Sequence, residues 1–166
     1  MCEVMKNIQK VLFICHGNIC RSPMAEFIMK DKVARRGLEE YFEIESRAVS
    51  NEEIWGGVGN PVYPPARDEL RRHGISCAGK HAERITEEDY EYFNYILCAD
   101  KSNIRYLETL IGPDVDNKVS LMLDHVPGRE GQSIADPWYS GDFRTTYSDI
   151  DEAVDALLDE FAREGF

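Results

Sequence analysis

Residues 15 to 22 read Cys15-His16-Gly17-Asn18-Ile19-Cys20-Arg21-Ser22, so five residues separate a cysteine from an arginine. Five residues can curl round an anion with successive backbone N–H groups pointing inward, and a helix opening near Ser22 adds its partial positive end at the same point. Arg21 can fork two N–H groups onto two phosphate oxygens, a geometry closed to lysine. Gly17 and Asn18 are the residue types that most readily take the left-handed backbone such a loop needs. A field this positive favours the Cys15 thiolate, the nucleophilic form, over an inert core thiol. Ser22 could donate to the Cys15 sulfur and make it a better leaving group in a second step, or serve as a plain helix cap.

A second candidate lies far along the chain, in Ala135-Asp136-Pro137-Trp138-Tyr139. A phenolate leaving group needs a proton as its P–O bond breaks, and a placed acid contributes about 10²–10⁴ in rate. Asp136 can supply one, although an Asp-Pro pair by itself is usually only a turn. Trp138 and Tyr139 are read as pocket walls, against the alternative of loop aromatics packed on the domain edge. A deep aromatic slot would admit phosphotyrosine, whereas phosphoserine, on a shorter arm, would fall short of Cys15.

These residues need elements to hold them. Lys10-Val-Leu-Phe-Ile-Cys15 is a continuous β-prone run suited to a central strand covered on both faces. A helix capped by Ser22 follows, with Pro23 at its first position, an apolar stripe of Phe27, Ile28 and Ala34, and a stop at Gly37. Further strands are expected over residues 42–49, 95–99 and 119–123, and helices over 66–73, 86–93, 102–111 and 146–161. In the last helix the acidic residues occupy the face opposite Ile150, Val154, Leu157, Leu158 and Phe161, a solvated surface. Strands alternating with helices predict an α/β fold built on a four-stranded parallel sheet.

With 166 residues, 43% of them hydrophobic, and no repeat or linker, the chain is expected to form one domain over 1–166. A net charge of −12 argues against nucleic acid or anionic membrane as partners, so any anion must be held locally. The cysteines, Cys2, Cys15, Cys20, Cys77 and Cys98, are odd in number and read as thiols. The opening MCEVMKNIQK lacks the order of a secretory signal and no apolar run spans a membrane, so a cytoplasmic location is expected.

The string CHGNICRSP, directly after an apolar strand, resembles the nucleophile loop of the low-molecular-weight protein tyrosine phosphatases. The resemblance extends through SRAVS, NPVYPPA, HGISCAGKHAERITEEDYEYFNYILCADKSN and DPWYSGDF. It implies a three-layer, flavodoxin-like fold and a phosphocysteine on Cys15, with Asp136 first as general acid and then activating water. It implies no metal or cofactor, a tyrosine-phosphorylated protein or peptide as substrate, and a monomer. Ile19 takes the place that packs by the substrate ring, where arginine-phosphate relatives tend to carry threonine. Cys15 and Cys20 would close a reversible disulfide under oxidation.

Two departures stand out. The segment Asn51–Gly59 is longer and richer in glycine than the family's, and Trp55 is either a third pocket wall or an exposed residue on a loop. Lys80 stands where the family has a histidine that supports the loop serine and asparagine, so either His81 substitutes or the support differs; Ser46 could orient Asn18 there. Arsenate reductases share the fold but relay oxidation to later cysteines, and none follows Cys98. A non-catalytic phosphotyrosine binder would not need Cys15, Arg21 and Asp136 together. A zinc site at Cys15 and Cys20 lacks a second pair of ligands.

Overall fold

The structure, a computed structural model, describes residues 7–165; Cys2 and the opening segment lie outside them. Strand β1 (Gln9–Cys15) is apolar from Val11 to Ile14, and all four of these side chains are buried. A strand apolar on both faces needs a layer on each side, and it receives them. Parallel neighbours β2 (Phe42–Ala48) and β5 (Tyr95–Cys98) flank it, and β6 (Val119–Leu121) completes the order β2-β1-β5-β6.

Val11 and Phe13 face helices α1 (Arg21–Arg35), α2 (Pro64–Arg72) and α6 (Phe143–Glu164), meeting Met24, Ile28, Leu70, Leu157 and Phe161. Leu12 and Ile14 face the other layer, with Tyr90 of α3 (Glu87–Tyr92) and Leu107 of α4 (Lys101–Ile111). Each such side chain stabilises the fold by about 1.5–3 kcal/mol on burial. The four-stranded parallel sheet between two helical layers is thus as the sequence predicts. The register sets Cys15 beside Ala48 and Ile14 beside Cys98, so three strands end together and their following loops converge.

Several boundaries differ from expectation for local reasons. Helix α1 starts at Arg21 with Cys20 at its N-cap, so Ser22 lies inside the first turn, does not cap it, and places Pro23 at the third helical position. Helix α6 starts at Phe143, three residues before the expected 146, because the Asp142 side chain accepts from Thr145 N at 2.9 Å. The segment 51–60, read as a glycine-rich connection, contains a hairpin of β3 (Ile54–Trp55) and β4 (Val58–Gly59). Its turn residues Gly56 and Gly57 have φ of +58° and +80°, the paired positive values of a tight hairpin turn. At Gly59 a Cβ would stand 1.9 Å from the Ala82 carbonyl oxygen, so only glycine lets the hairpin lie against residues 80–82. Helix α5 (Pro137–Ser140), also unexpected, is one turn capped by Asp136. No helix among the described residues is long and apolar enough to cross a membrane.

Candidate active site

The loop of residues 16–20 leaves the end of β1 and enters α1. Asn18 takes the left-handed backbone foreseen for it, with φ of +60°, but Gly17 does not. Gly17 is there for space: a Cβ would lie 3.1 Å from Cγ of Glu53. Cys20 gives the helix no side-chain cap and the first turn holds no acid, so its leading N–H groups keep their anion-binding character.

Polar support under the loop runs in one direction. Glu83 N donates to Asn18 Oδ1 at 3.1 Å, which fixes the amide so that Nδ2 donates to Ser22 Oγ (2.8 Å) and Ser46 Oγ (2.9 Å). The Ser46 hydroxyl then donates to Glu26 at 2.6 Å, and the Ser22 hydroxyl lies 3.0 Å from the Cys15 sulfur, closer than the Arg47 carbonyl at 3.4 Å, its other acceptor. Lys80 closes the chain by pairing with Glu26 at 3.0 Å and donating to the Ser46 carbonyl. Burial alone would raise the Glu26 pKa, but Lys80, then Lys30 and Ser46, hold it below the usual range. The support therefore comes from Lys80; His81 is exposed and bonds Gly59 O.

Arg21 is buried, with 3% of its side chain exposed. Its Nη1 donates to Asp100 at 2.6 Å and to Ile134 O at 2.9 Å, while Nη2 lies 3.5 Å from Asp136. Burial works against the guanidinium charge, but Cys15, Asp100 and Asp136 raise its pKa further. Burial likewise raises the Asp100 pKa, and bonds from Ser102 and Arg21 overcome this and lower it. Asp100 was not foreseen as part of the site; its only signal was the Asp-x-x-Asn cap opening α4.

Cys15, Arg21 and Asp136 meet at one cavity of about 160 Å³, lined also by His16, Gly17, Ile19 and Cys20. Burial, then Cys15 and Asp136, push the Cys20 thiol pKa up, so Cys20 is held as a thiol. Trp138 and Tyr139 stand at the mouth; the Trp138 ring lies 4.7 Å from that of Tyr63, centre to centre. Glu52 and Glu53 also line the cavity, neither singled out from sequence. Trp55, expected as a possible wall, is outside this cavity: it is 74% exposed and lines an adjoining groove with Asn51, Glu52 and Ile54.

A cysteine, a buried arginine and a carboxylate around a small anion-sized cavity, at the carboxyl ends of a parallel sheet, suit an α/β protein that holds a phosphate-sized anion against a thiol. The sequence model of the low molecular weight phosphotyrosine protein phosphatases matches residues 10–165. A Bacillus subtilis low molecular weight protein-tyrosine-phosphatase, YfkJ, is 36% identical over 93% of this chain and 96% of its own length. The pig low molecular weight phosphotyrosine protein phosphatase is 39% identical over 92% and 95%. The YfkJ crystal structure superposes with a TM-score of 0.89 over 96% and 98% of the two chains, at 34% identity. A Drosophila arginine phosphatase superposes with a TM-score of 0.80 over 92% and 98%, at 28% identity. This chain belongs to the low-molecular-weight protein tyrosine phosphatase family and is a hydrolase.

Proposed function

We propose that the chain hydrolyses phosphotyrosine (aryl phosphate) monoesters in proteins or peptides through a phosphocysteine on Cys15. The observation that carries this reading is the meeting of Cys15, Arg21 and Asp136 at one cavity. The amides of residues 16–22 and the Arg21 fork hold the phosphate oxygens; with Nη1 committed to Asp100 and Ile134, Nε and Nη2 remain for the ligand. The Cys15 thiolate attacks in line, the S–P bond forms, and the P–O bond to tyrosine breaks as Asp136 gives its proton to the phenolate. Asp136 then takes a proton from water, whose oxygen bonds phosphorus while the S–P bond breaks. The Ser22 hydroxyl, 3.0 Å from the sulfur, stabilises the departing thiolate. Amides and Arg21 offset the transition-state charge, so the reading uses no metal or organic cofactor.

Ile19, Trp138 and Tyr139 line the cavity, and their apolar surface favours a phosphotyrosine ring over the shorter arm of phosphoserine. The protein works as a monomer in the cytosol, a reducing compartment suited to its four free thiols among the described residues. The test is metal-free hydrolysis of para-nitrophenyl phosphate by reduced enzyme. Cys15→Ser abolishes it and Asp136→Ala lowers it about 100-fold or more. Phosphotyrosyl peptide should then be hydrolysed in preference to phosphoseryl peptide and phosphoarginine. An inactive wild type, or activity that survives Cys15→Ser, would remove the proposal.

A further inference from the structure

The mouth of the cavity carries the wrong charge for a lone phosphate. Glu52 and Glu53 line it, and apart from Arg21 no lysine or arginine among the described residues does. Arg21 is buried and already faces two carboxylates, so it does little to offset the rim towards solvent. Glu53 is held in place: its carboxylate accepts from Asn60 Nδ2 at 2.8 Å, and its backbone carbonyl accepts from Asn60 N at 2.8 Å. Glu52 is steadied by His16 Nε2 at 3.1 Å and otherwise stands in solvent. A phosphotyrosine dianion approaching these carboxylates is repelled before it reaches the loop. Affinity is recovered if the substrate brings positive charge beside its phosphotyrosine.

The surface next to the rim suits such a chain. Glu52 lines both the catalytic cavity and the groove of about 490 Å³ that contains Trp55, so the two are neighbours on the surface. Of the eight large hydrophobic side chains exposed among the described residues, four lie on the two segments flanking the cavity: Trp55, Val58, Trp138 and Tyr139. Lysine and arginine lay their methylene stems on aromatic faces while their charge meets a carboxylate, so aromatic rings beside glutamates recognise basic side chains.

Building on the phosphotyrosine reading, we infer that this rim selects polypeptide segments with lysine or arginine beside the phosphotyrosine. The segment lies in the Trp55 groove, with its basic side chains on Glu52 and Glu53. Acidic phosphotyrosyl segments are discriminated against.

Three phosphotyrosyl peptides that differ only in their flanks, lysine, serine or glutamate on both sides, test this, with para-nitrophenyl phosphate run in parallel. At low salt the lysine peptide should exceed the glutamate peptide in kcat/KM by about 10-fold, the scale expected of two exposed ion pairs. The difference should lie mainly in KM, because the flanks do not touch the reacting atoms. It should shrink several-fold at about 0.5 M salt, where exposed charges are screened. In the Glu52→Gln/Glu53→Gln variant the ratio should fall to about 2-fold or less.

Equal kcat/KM for the three peptides, a preference for the glutamate peptide, or a lysine preference unaffected by salt would overturn the inference while para-nitrophenyl phosphate hydrolysis left the phosphatase standing. A lysine preference that persists in the double variant would also overturn it. A wild type inactive on every substrate would overturn the phosphatase reading, and the inference with it.

Discussion

Asp136 holds two positions at once, cap of a one-turn helix and neighbour of Arg21. Asp136→Asn keeps an acceptor for the cap and removes the acid, so the expected loss falls on chemistry. The kcat should drop about 100-fold for a phenyl phosphate with a poor leaving group, and much less for one whose phenolate leaves unaided. A plot of rate against leaving-group pKa, steeper in the variant than in the wild type, checks this; equal slopes would remove the acid role. Ser22→Ala takes the single hydroxyl from beside the Cys15 sulfur. It should slow breakdown of the phosphocysteine more than its formation, giving a rapid burst of nitrophenol equal to the enzyme concentration, then a slow steady state. Without such a burst, the hydroxyl does not assist the departing sulfur.

Helix α1 and the segment 80–84 are tied under the loop by Glu26 and Lys80, whose side chains are 2% and 7% exposed. Lys80→Met leaves the buried Glu26 carboxylate with Lys30 alone, 2.6 Å away on a side chain that is 42% exposed, and removes its one buried counter-charge, at a cost of about 1–3 kcal/mol. Urea denaturation should show that loss, and the double variant Lys80→Met/Glu26→Met should recover most of it, since an apolar pair need not be solvated. Because the same chain orients Asn18, the single variant should also lose kcat. At the hairpin, Gly59→Ala forces a Cβ onto the Ala82 backbone and should destabilise the protein while shifting the peptide preference set by Glu52 and Glu53.

For the whole molecule, acid is the expected weakness. Glu26 and Asp100 both have pKa values lowered in the fold, despite burial that opposes the shift. The unfolded chain therefore binds more protons than the folded one as pH falls. Their contribution to stability is complete above their unfolded values, about 4, and is lost as pH drops through the lower folded values. Thermal unfolding measured from about pH 6 down to pH 3 should show a falling midpoint. Glu26→Gln should make that fall shallower; an unchanged slope would mean that Glu26 contributes nothing to it.

Some of this was legible in the residues. The Cys15-to-Arg21 spacing, the apolar run of β1 and the stripe of α6 are local patterns, and local patterns suffice because a five-residue anion loop and a helix face are built from neighbours. The hairpin at Ile54–Gly59 was not legible, because two-residue strands leave no periodicity to read. Nor were Gly17's clearance for Glu53 or the reach of Asp100 to Arg21, which join residues far apart in the chain. The sequence by itself determined the loop from Cys15 to Arg21 and the layered α/β plan. Tertiary structure alone decided that Lys80 rather than His81 supports the loop, that Trp55 faces a groove rather than the cavity, and that carboxylates guard the entrance. Those are relations between separate segments, set by sheet register and by the space left after the core has packed.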